Sequence, residues 1–232
     1  MLYIVATPIG NLDDITMRAL NILKTVSCIL CEDTRHTQNL LNHYGIKNKL
    51  MSYHQHSNIV KIDEIIKRLE NNEDLALVTD AGTPCISDPG FVLINKIREE
   101  LPDIKIFPIP GASAMISALS VSGFNLASFT FLGFIPNKNG REKFIKNICD
   151  KSDSVFCFYE SCYRILKLLD QIEKIFIERE QEDRKIFVAR ELTKMFESYY
   201  YGTVKEVREK LLKDPVKGEF VVAIDRFKNI EL

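Results

Sequence analysis

One stretch of the sequence, residues 75–90, constrains the fold more than any other. Its first five residues are apolar or β-branched, which predicts a buried strand at 75–79. The next eleven residues contain two Asp, two Gly and two Pro, and a helix is predicted to begin at Phe91. An ordinary strand-to-helix connection has about 2–6 residues. This longer one would lie at the carboxyl end of a parallel strand, where open α/β sheets bind their ligands.

Two other segments have the same design. Residues 7–14 follow a predicted buried strand at 2–6, and residues 108–113 follow a predicted strand at 104–107. Half of the 10 Gly and 8 Pro residues lie in these two windows and in residues 80–90. Gly allows a positive φ or a close approach, and Pro restricts the backbone. We therefore predict one composite pocket lined by backbone groups, with an ordinary long surface turn as the alternative for residues 80–90.

The composition excludes several classes of protein. A length of 232 residues suffices for one or two domains, and 46% hydrophobic with 27% charged residues is typical of a soluble globular chain. No run of 18 apolar residues predicts a membrane-spanning helix, and no basic region opens a signal peptide, so we expect a cytoplasmic protein. With a net charge of −1, charge alone should not give tight binding to a nucleic acid.

Predicted strands and helices alternate regularly in the first half of the chain and less regularly in the second. We expect two α/β domains, 1–115 and 116–232, with Asp14 and Asp33 as the N-caps of the first two helices. The helix after the third loop is predicted to be buried through Met115, Ile116, Leu119 and Val121. Predicted strands are 2–6, 28–31, 51–53, 75–79, 104–107, 129–134, 154–159, 186–189, 196–201 and 219–224, and the other predicted helices lie within 15–26, 34–44, 59–69, 91–101, 165–177 and 204–212.

The six cysteines do not have the spacing of a metal site. Cys28 and Cys31 form a CxxC pair, but no second pair or His pair follows at zinc spacing. They lie in an apolar run, so reduced core thiols are the better interpretation. His54 and His56 would share one face of a strand, yet a third ligand is not evident. We expect no metal; these histidines lie in either an RNA-facing loop or a solvated turn.

The common phosphate-binding and nucleophile motifs are missing. The sequence has no GxGxxG after a strand, no GxxxxGK[ST] and no GxSxG. This disfavours a dinucleotide oxidoreductase, a P-loop NTPase and a hydrolase with a nucleophile elbow. The predicted pocket offers small residues, carbonyl groups and a few carboxylates instead. Such groups suit a ligand with hydroxyls, an ammonium and an aromatic base.

A set of motifs in fixed order resembles the tetrapyrrole-methylase superfamily. Within it, the motifs are similar to those of bacterial enzymes that methylate the 2′-oxygen of a cytidine in the decoding region of 16S ribosomal RNA. The resemblance spans nearly the whole chain. The motifs are TPIGNL at 7–12, DIT at 14–16, EDTR at 32–35, DAGTP at 80–84, SDPG at 87–90, PGAS at 110–113, FYES at 158–161, ARELTK at 189–194 and KGE at 217–219.

The resemblance implies a fold, a cofactor and partners. It implies a two-domain α/β fold of the class III S-adenosylmethionine methyltransferases, with the cofactor in a cleft between the domains. It also implies a homodimer that acts on 16S rRNA in the small ribosomal subunit and not on DNA, and a further C-terminal segment, whereas the sequence ends at Leu232. Many small-molecule methylases of the superfamily have a second Ser where this chain has Ala114. The cofactor-binding residues implied by motif position are Pro8, Asp80, Ala81, Gly82, Ile86, Ser87 and Ser113, joined by Tyr159, Leu192 and Phe220 from the second domain.

Residues 32–36 are expected to carry the chemistry on the substrate. A ribose hydroxyl is a weak acid, so a general base would assist methyl transfer, and Glu32 is the first candidate. Arg35 would orient an RNA phosphate or neutralise developing charge. The alternative is structural, with Asp33 as a helix cap and a Glu32–Arg35 surface ion pair. Further candidates for substrate binding are His36, His54 and Arg190, although Arg190 with Glu191 is more simply interpreted as an ion pair that closes the domains.

Two rival functions remain open from the sequence. A methyltransferase for a small tetrapyrrole would need a roomy apolar trough, whereas the polar segment 32–35 favours a polar one. A non-catalytic ribosome-assembly binder could keep the cofactor fold, but all three pocket loops are intact. The run Tyr199, Tyr200 and Tyr201 could stack on bases, yet alternating strand faces predict that one or two of these rings are packed.

Overall fold

The structure is a computed structural model that describes residues 1–54, 59–88, 90–137, 140–151 and 153–227. The chain divides into two compact units, Met1–Ser113 and Ala114–Leu232. Each unit contains one five-stranded sheet with helices packed on it. The predicted α/β fold class is confirmed.

The first unit is built on a parallel sheet whose strands are covered on both faces. The strand order is β3-β2-β4-β1-β5, and every pairing is parallel. Strands covered on both faces read as continuous apolar runs, which explains the pattern at Cys28–Cys31. The elements are β1 (Leu2–Val5), α1 (Met17–Thr25), β2 (Cys28–Cys31), α2 (Thr34–His43), β3 (Leu50–Ser52), α3 (Ile59–Glu70), β4 (Leu75–Leu77), α4 (Gly90–Glu100) and β5 (Ile106–Ile109).

Two apolar clusters hold this unit together. One contains Leu69 of α3 and Leu93 of α4, and the other contains Leu23 of α1 and Leu41 of α2. All four of these leucines are almost completely buried. The pairing of helices into two clusters places α1 and α2 on one face of the sheet and α3 and α4 on the other. The loops of interest follow the carboxyl ends of β1, β4 and β5.

The second unit has a mixed sheet in the order β6-β7-β10-β8-β9. Only the β6–β7 pairing is parallel within the described part of the chain, and the other three pairings are antiparallel. Its core contains the buried rings of Phe158, Phe176 and Phe220. The elements are α5 (Ala114–Ser120), β6 (Phe129–Phe134), α6 (Arg141–Asp150), β7 (Val155–Ser161), α7 (Ile165–Glu178), β8 (Ile186–Arg190), β9 (Ser198–Gly202), α8 (Val204–Leu211) and β10 (Glu219–Ile224).

Several local predictions need correction. Asp14 is not the cap of the first helix: it ends a short 3₁₀ turn, and the Thr16 hydroxyl oxygen accepts from the Ala19 amide at 3.1 Å instead. The helix α5 is only partly buried, because Ile116 is 50% exposed. Val121, just after that helix, is also exposed. The helix α6 was not predicted at all.

Other local predictions are confirmed. The cysteines are free thiols, and Cys28, Cys31, Cys149 and Cys157 are buried. In β9 only Tyr200 is buried among the three consecutive tyrosines, as strand alternation requires. None of the helices in the described ranges combines the length and the apolar character that a membrane crossing requires.

Candidate active site

The three Gly- and Pro-rich loops of the first unit are joined to one another by hydrogen bonds. The Thr7 amide donates to the Gly82 carbonyl at 2.9 Å, and the Gly82 amide donates to the Thr7 carbonyl at 3.0 Å. The Thr83 hydroxyl donates to the Ala112 carbonyl at 3.1 Å. Since β1 lies between β4 and β5, parallel strands bring the three loops to the same edge of the sheet. The predicted association of these loops is confirmed.

Two glycines make this close approach possible. A Cβ atom on Gly111 would lie 2.8 Å from the Cβ of Ala6, so no other residue fits there without a shift of the backbone. Gly82 has a φ of +84°, which side chains rarely adopt, and its Cβ would lie 3.4 Å from Ile9. Gly111 is therefore required by its close approach to Ala6, and Gly82 by its backbone conformation.

The second loop is strained at two residues that are not glycine. Cys85 and Ser87 have φ values of +72° and +68°. The Asp88 carboxylate holds this conformation, because its Oδ1 accepts from the Cys85 amide at 2.8 Å and from the Gly90 amide at 3.0 Å. Ile86, between the two strained residues, is 43% exposed although it is apolar. Such strain accumulates where a loop is shaped for a ligand.

Glu32 lies at the carboxyl end of β2, next to the start of the second loop. Its Oε1 accepts a hydrogen bond from the Thr79 hydroxyl at 3.2 Å. Partial burial raises the pKa of the Glu32 carboxyl, and the charges of Asp80 and Asp88 raise it further, against the hydrogen bond from Thr79. A raised pKa makes a carboxylate a stronger base, so this environment suits a proton acceptor.

Asp33 and Arg35 form a separate, exposed pair. Asp33 is the N-cap of α2, as predicted, and its Oδ1 accepts from the Arg35 amide at 2.8 Å. Its Oδ2 lies 2.7 Å from Nη2 of Arg35, whose side chain is 89% exposed. Hydrogen bonds from Arg35 lower the pKa of Asp33 well below its usual range. The alternative of a Glu32–Arg35 ion pair is therefore wrong, since Arg35 pairs with Asp33.

The other residues of the first unit that were predicted for the site differ in solvent exposure. Pro8 and Gly82 are buried, Asp80 and Ser113 are half-buried, and Ala81, Ile86 and Ser87 are exposed. The histidines His36 and His54 are both exposed, and His56 lies outside the described residues. Within the described ranges no group of three His, Cys, Asp or Glu residues is arranged to hold a metal ion.

Three cofactor residues were predicted in the second unit. Of these, Tyr159 is half-buried and Leu192 lies in a strained loop. The Tyr159 ring lies 5.0 Å from the ring of Phe131 and 5.3 Å from that of Phe134, and burial raises the pKa of its hydroxyl to about 12. Leu192 is flanked by Glu191 and Thr193, which have φ values of +51° and +64°. The side chain of Phe220 belongs to the apolar core instead.

Arg190 and Glu191 support the strained loop from within the second unit. Arg190 is buried, and its Nε donates to the Lys217 carbonyl at 2.8 Å. Oε1 of Glu191 accepts from Nζ of Lys194 and from the Glu219 amide, both at 2.9 Å. Among the described residues the ion pair of Glu191 is thus with Lys194 rather than with Arg190. The burial of Arg190 argues against a direct contact with a substrate.

A buried ion-pair cluster in the second unit was missed by the sequence reasoning. The Glu160 carboxylate is fully buried, 3.0 Å from Nη2 of Arg141 and 2.7 Å from Nη2 of Arg164. Glu160 lies within the FYES motif, which was the only signal. The cluster fixes the start of α7 and the segment before α6 to the end of β7.

Comparison with known proteins places this geometry in a family. The sequence model for "Tetrapyrrole (Corrin/Porphyrin) Methylases" matches residues 1–208. The chain belongs to the tetrapyrrole methylase family. This methylase is 47% identical to the "Ribosomal RNA small subunit methyltransferase I" of Hydrogenobaculum sp., covering 97% of this chain and 95% of that protein. It is 41% identical to the protein of the same name from Thermotoga maritima, with 96% and 97% covered, and 44% identical to that from Haemophilus influenzae, with 97% and 78% covered.

Solved structures with little sequence identity share the fold. A cobalt precorrin-4 methyltransferase of cobalamin biosynthesis superposes with a TM-score of 0.64 at 16% identity, covering 97% of this methylase and 94% of that chain. The uroporphyrin-III-C-methyltransferase from Thermus thermophilus gives 0.62 at 16% identity, with 97% and 94% covered. The family assignment makes this chain an enzyme, a methyltransferase.

Proposed function

We propose that this methylase transfers a methyl group from S-adenosylmethionine to the ribose 2′-oxygen of a cytidine in 16S rRNA of the small ribosomal subunit. The observation that carries the proposal is the match, over nearly the whole chain, to relatives named as ribosomal RNA small subunit methyltransferases. The choice of a ribose oxygen in the decoding region rests on the motif resemblance. A half-buried carboxylate beside the loop cluster, Glu32, supplies the base that a hydroxyl substrate needs.

The groups around the loop cluster fit S-adenosylmethionine. The cofactor carries an ammonium, a carboxylate, two ribose hydroxyls and an adenine ring. The Asp80 carboxylate can accept from its donors, the hydroxyls of Ser87 and Ser113 can bond its polar groups, and the exposed Ile86 side chain suits its ring. Gly82 is buried and both of its backbone polar groups bond to Thr7, so it would act on the cofactor through the shape of the loop. The full set proposed for the cofactor is Pro8, Asp80, Ala81, Gly82, Ile86, Ser87 and Ser113.

In the second unit we propose that Tyr159 and Leu192 contribute to cofactor binding. Leu192 lies in a loop whose strain is maintained by the contacts of Glu191 and Gly218, since a Cβ on Gly218 would lie 2.3 Å from the Glu191 carboxyl carbon. Strain that neighbours hold in place is typical of ligand-binding loops. We leave Phe220 out of this set, because its side chain lies in the core and its strand, β10, is paired on both sides.

In the proposed reaction Glu32 accepts the proton that the ribose hydroxyl loses during methyl transfer. S-adenosylmethionine, when bound, supplies a methyl group on a positively charged sulfur that leaves as a neutral thioether. The ribose 2′-oxygen forms a bond to the methyl carbon as the carbon–sulfur bond breaks, and Glu32 accepts the hydroxyl proton. The loops must hold the reacting atoms about 3–3.5 Å apart and in line. Arg35 is exposed and cationic, and we propose that it contacts an RNA phosphate, with His36 as its neighbour on α2.

The near-zero net charge bears on the form of the substrate. Proteins that bind naked RNA through its backbone need many cationic contacts, and this chain has a net charge of −1. We therefore propose that the assembled small subunit, rather than free rRNA, is the substrate. We further propose a cytoplasmic homodimer, which light scattering would show as twice the mass of one chain.

The test is transfer of a labelled methyl group from S-adenosylmethionine to unmodified small subunits, to protein-free 16S rRNA and to a tetrapyrrole. We expect label on the small subunit, less on free rRNA, and none on the tetrapyrrole. The Glu32→Gln variant should lose about 10²- to 10⁴-fold in turnover and still bind the cofactor. Label on the tetrapyrrole alone would contradict the proposal that rRNA is the substrate. An equal rate for the two RNA substrates would contradict the preference for the assembled small subunit.

A further inference from the structure

We propose that Thr79 is a positioning residue for Glu32, and that its hydroxyl holds the carboxylate in the orientation that receives the substrate proton. This rests on the proposed function, in which Glu32 is the base. Thr79 follows the end of β4 and is only 8% exposed. Its hydroxyl donates to Oε1 of Glu32 at 3.2 Å. A hydroxyl has a single hydrogen to donate, so this bond commits it to Glu32.

Thr79 is itself held from the opposite side. Its carbonyl accepts from the hydroxyl of Thr7 at 3.0 Å, and Thr7 is also buried. The Thr7 backbone in turn exchanges two hydrogen bonds with Gly82. A chain of contacts therefore runs from the end of β1 through the end of β4 to Glu32 at the end of β2. This hydrogen bond restricts the rotation of the Glu32 carboxylate and therefore restricts the directions in which Oε2 can point.

The hydrogen bond from Thr79 lowers the pKa of Glu32, whereas the other groups around this carboxyl raise it. Burial and the charges of Asp80 and Asp88, both in the second loop, raise the pKa of the carboxyl, and the bond from Thr79 lowers it. On the same segment as Glu32, the charges of Asp33 and Arg35 are paired with each other. Loss of the Thr79 hydroxyl should therefore raise the pKa of Glu32 further. Because the base acts only when ionised, activity is lost as the pH falls through this pKa, and that loss should begin at higher pH in the variant.

The experiment measures single-turnover methyl transfer to small subunits across pH for wild type, Thr79→Val and Thr79→Ser. We expect Thr79→Val to be about 10- to 100-fold slower at neutral pH, to regain part of the loss at high pH, and to bind S-adenosylmethionine as wild type does. Thr79→Ser keeps the hydroxyl and should restore the wild-type profile. A Thr79→Val profile with no displacement toward high pH, whether its rate is normal or uniformly low, would overturn the proposal.

A second measurement does not depend on activity. The carboxyl resonance of Glu32, identified by its loss in Glu32→Gln, is titrated by NMR in wild type and in Thr79→Val, or in Thr79→Ala if the valine variant does not fold. We expect the midpoint to move to higher pH in the variant, and an unchanged midpoint contradicts the role of Thr79. If wild type transfers no methyl group to the small subunit although this midpoint moves, the proposed function fails and the contact between Thr79 and Glu32 stands.

Discussion

Thr7 and Gly82 exchange two backbone hydrogen bonds, at 2.9 and 3.0 Å, across the ends of two neighbouring parallel strands. These residues are 75 positions apart in the sequence. The exchange forms an isolated antiparallel bridge between the loops that follow β1 and β4. It depends on the left-handed backbone of Gly82, whose φ is +84°. The geometry of the proposed cofactor loops therefore depends on a backbone conformation that only glycine adopts without strain.

Gly82→Ala should weaken cofactor binding and destabilise the first unit. A side chain at this φ costs about 1–2 kcal/mol, and the new Cβ would lie in van der Waals contact with Ile9 at 3.4 Å. Calorimetric titration with S-adenosylmethionine and urea unfolding give the two readouts. Gly123→Ala is the matched control, because Gly123 has a φ of +76° with no atom within 4 Å of its Cβ. Both variants should lose stability, and only Gly82→Ala should lose affinity. Equal cofactor affinity in the two variants would remove Gly82 from the binding site.

Glu32→Gln should stabilise the fold at neutral and alkaline pH. The pKa of Glu32 is raised in the folded state, so the protonated form is favoured there and the ionised form is a liability above that pKa. Glutamine mimics the neutral form. The variant should melt higher than wild type by about 1–3 °C at pH 8, and the difference should vanish as the pH falls below about 4. The exposed Glu70→Gln should show no such trend. A variant less stable than wild type at pH 8 would contradict this expectation.

Arg35→Ala should weaken the binding of the small subunit and leave the cofactor site intact. The side chain is 89% exposed and pairs only with Asp33 among the described residues, so the fold loses little. If the guanidinium contacts a phosphate, the KM for the small subunit rises about 10-fold and the slope of log affinity against log salt falls by about 1. Arg18→Ala, on the exposed part of α1, is the control. Identical salt dependence for the two variants would place Arg35 outside the RNA contact.

Glu160→Gln should strongly destabilise the second unit. The carboxylate is fully buried between Arg141 and Arg164, and its neutral replacement leaves buried guanidinium charge without compensation. Breaking a buried pair of this kind costs about 3–5 kcal/mol. Urea unfolding measures the loss. Glu142→Gln, which removes a surface partner of Lys146, should change stability little. A small effect at Glu160 would mean that the cluster contributes no more than a surface pair.

The sequence was sufficient to predict the loop cluster because each loop has a local signal and a parallel sheet brings the three loops together. Gly and Pro are concentrated after three apolar runs, and parallel strands bring their carboxyl ends to one edge, so the loops predicted at 7–14, 80–90 and 108–113 had to be neighbours. The cap at Asp33 was also predictable, since an acidic residue directly preceded the helical pattern. The composition of each loop and the position of the cap can each be traced to residues a few positions apart.

The features that were not predicted depend on contacts between residues far apart in the sequence, or on which helix faces are covered by other elements of the fold. Thr79 and Glu32 are 47 positions apart, and no local pattern links them. The apolar spacing after residue 114 predicted a helix, but spacing cannot tell whether another element covers Ile116, which is exposed. Asp14 and Thr16 are both residue types that cap helices well. Because Asp14 belongs to a 3₁₀ turn, the first helix begins after Thr16, and Thr16 is its N-cap.

Whether this methylase modifies a cytidine ribose is decided by nucleoside mass spectrometry of 16S rRNA. Unmodified small subunits are first incubated with the enzyme and methyl-labelled S-adenosylmethionine. We expect one labelled nucleoside, a cytidine whose added mass stays with the ribose after the base is removed, and no label with Glu32→Gln. Label on the base, on another nucleoside, or at the same level with Glu32→Gln would contradict the account.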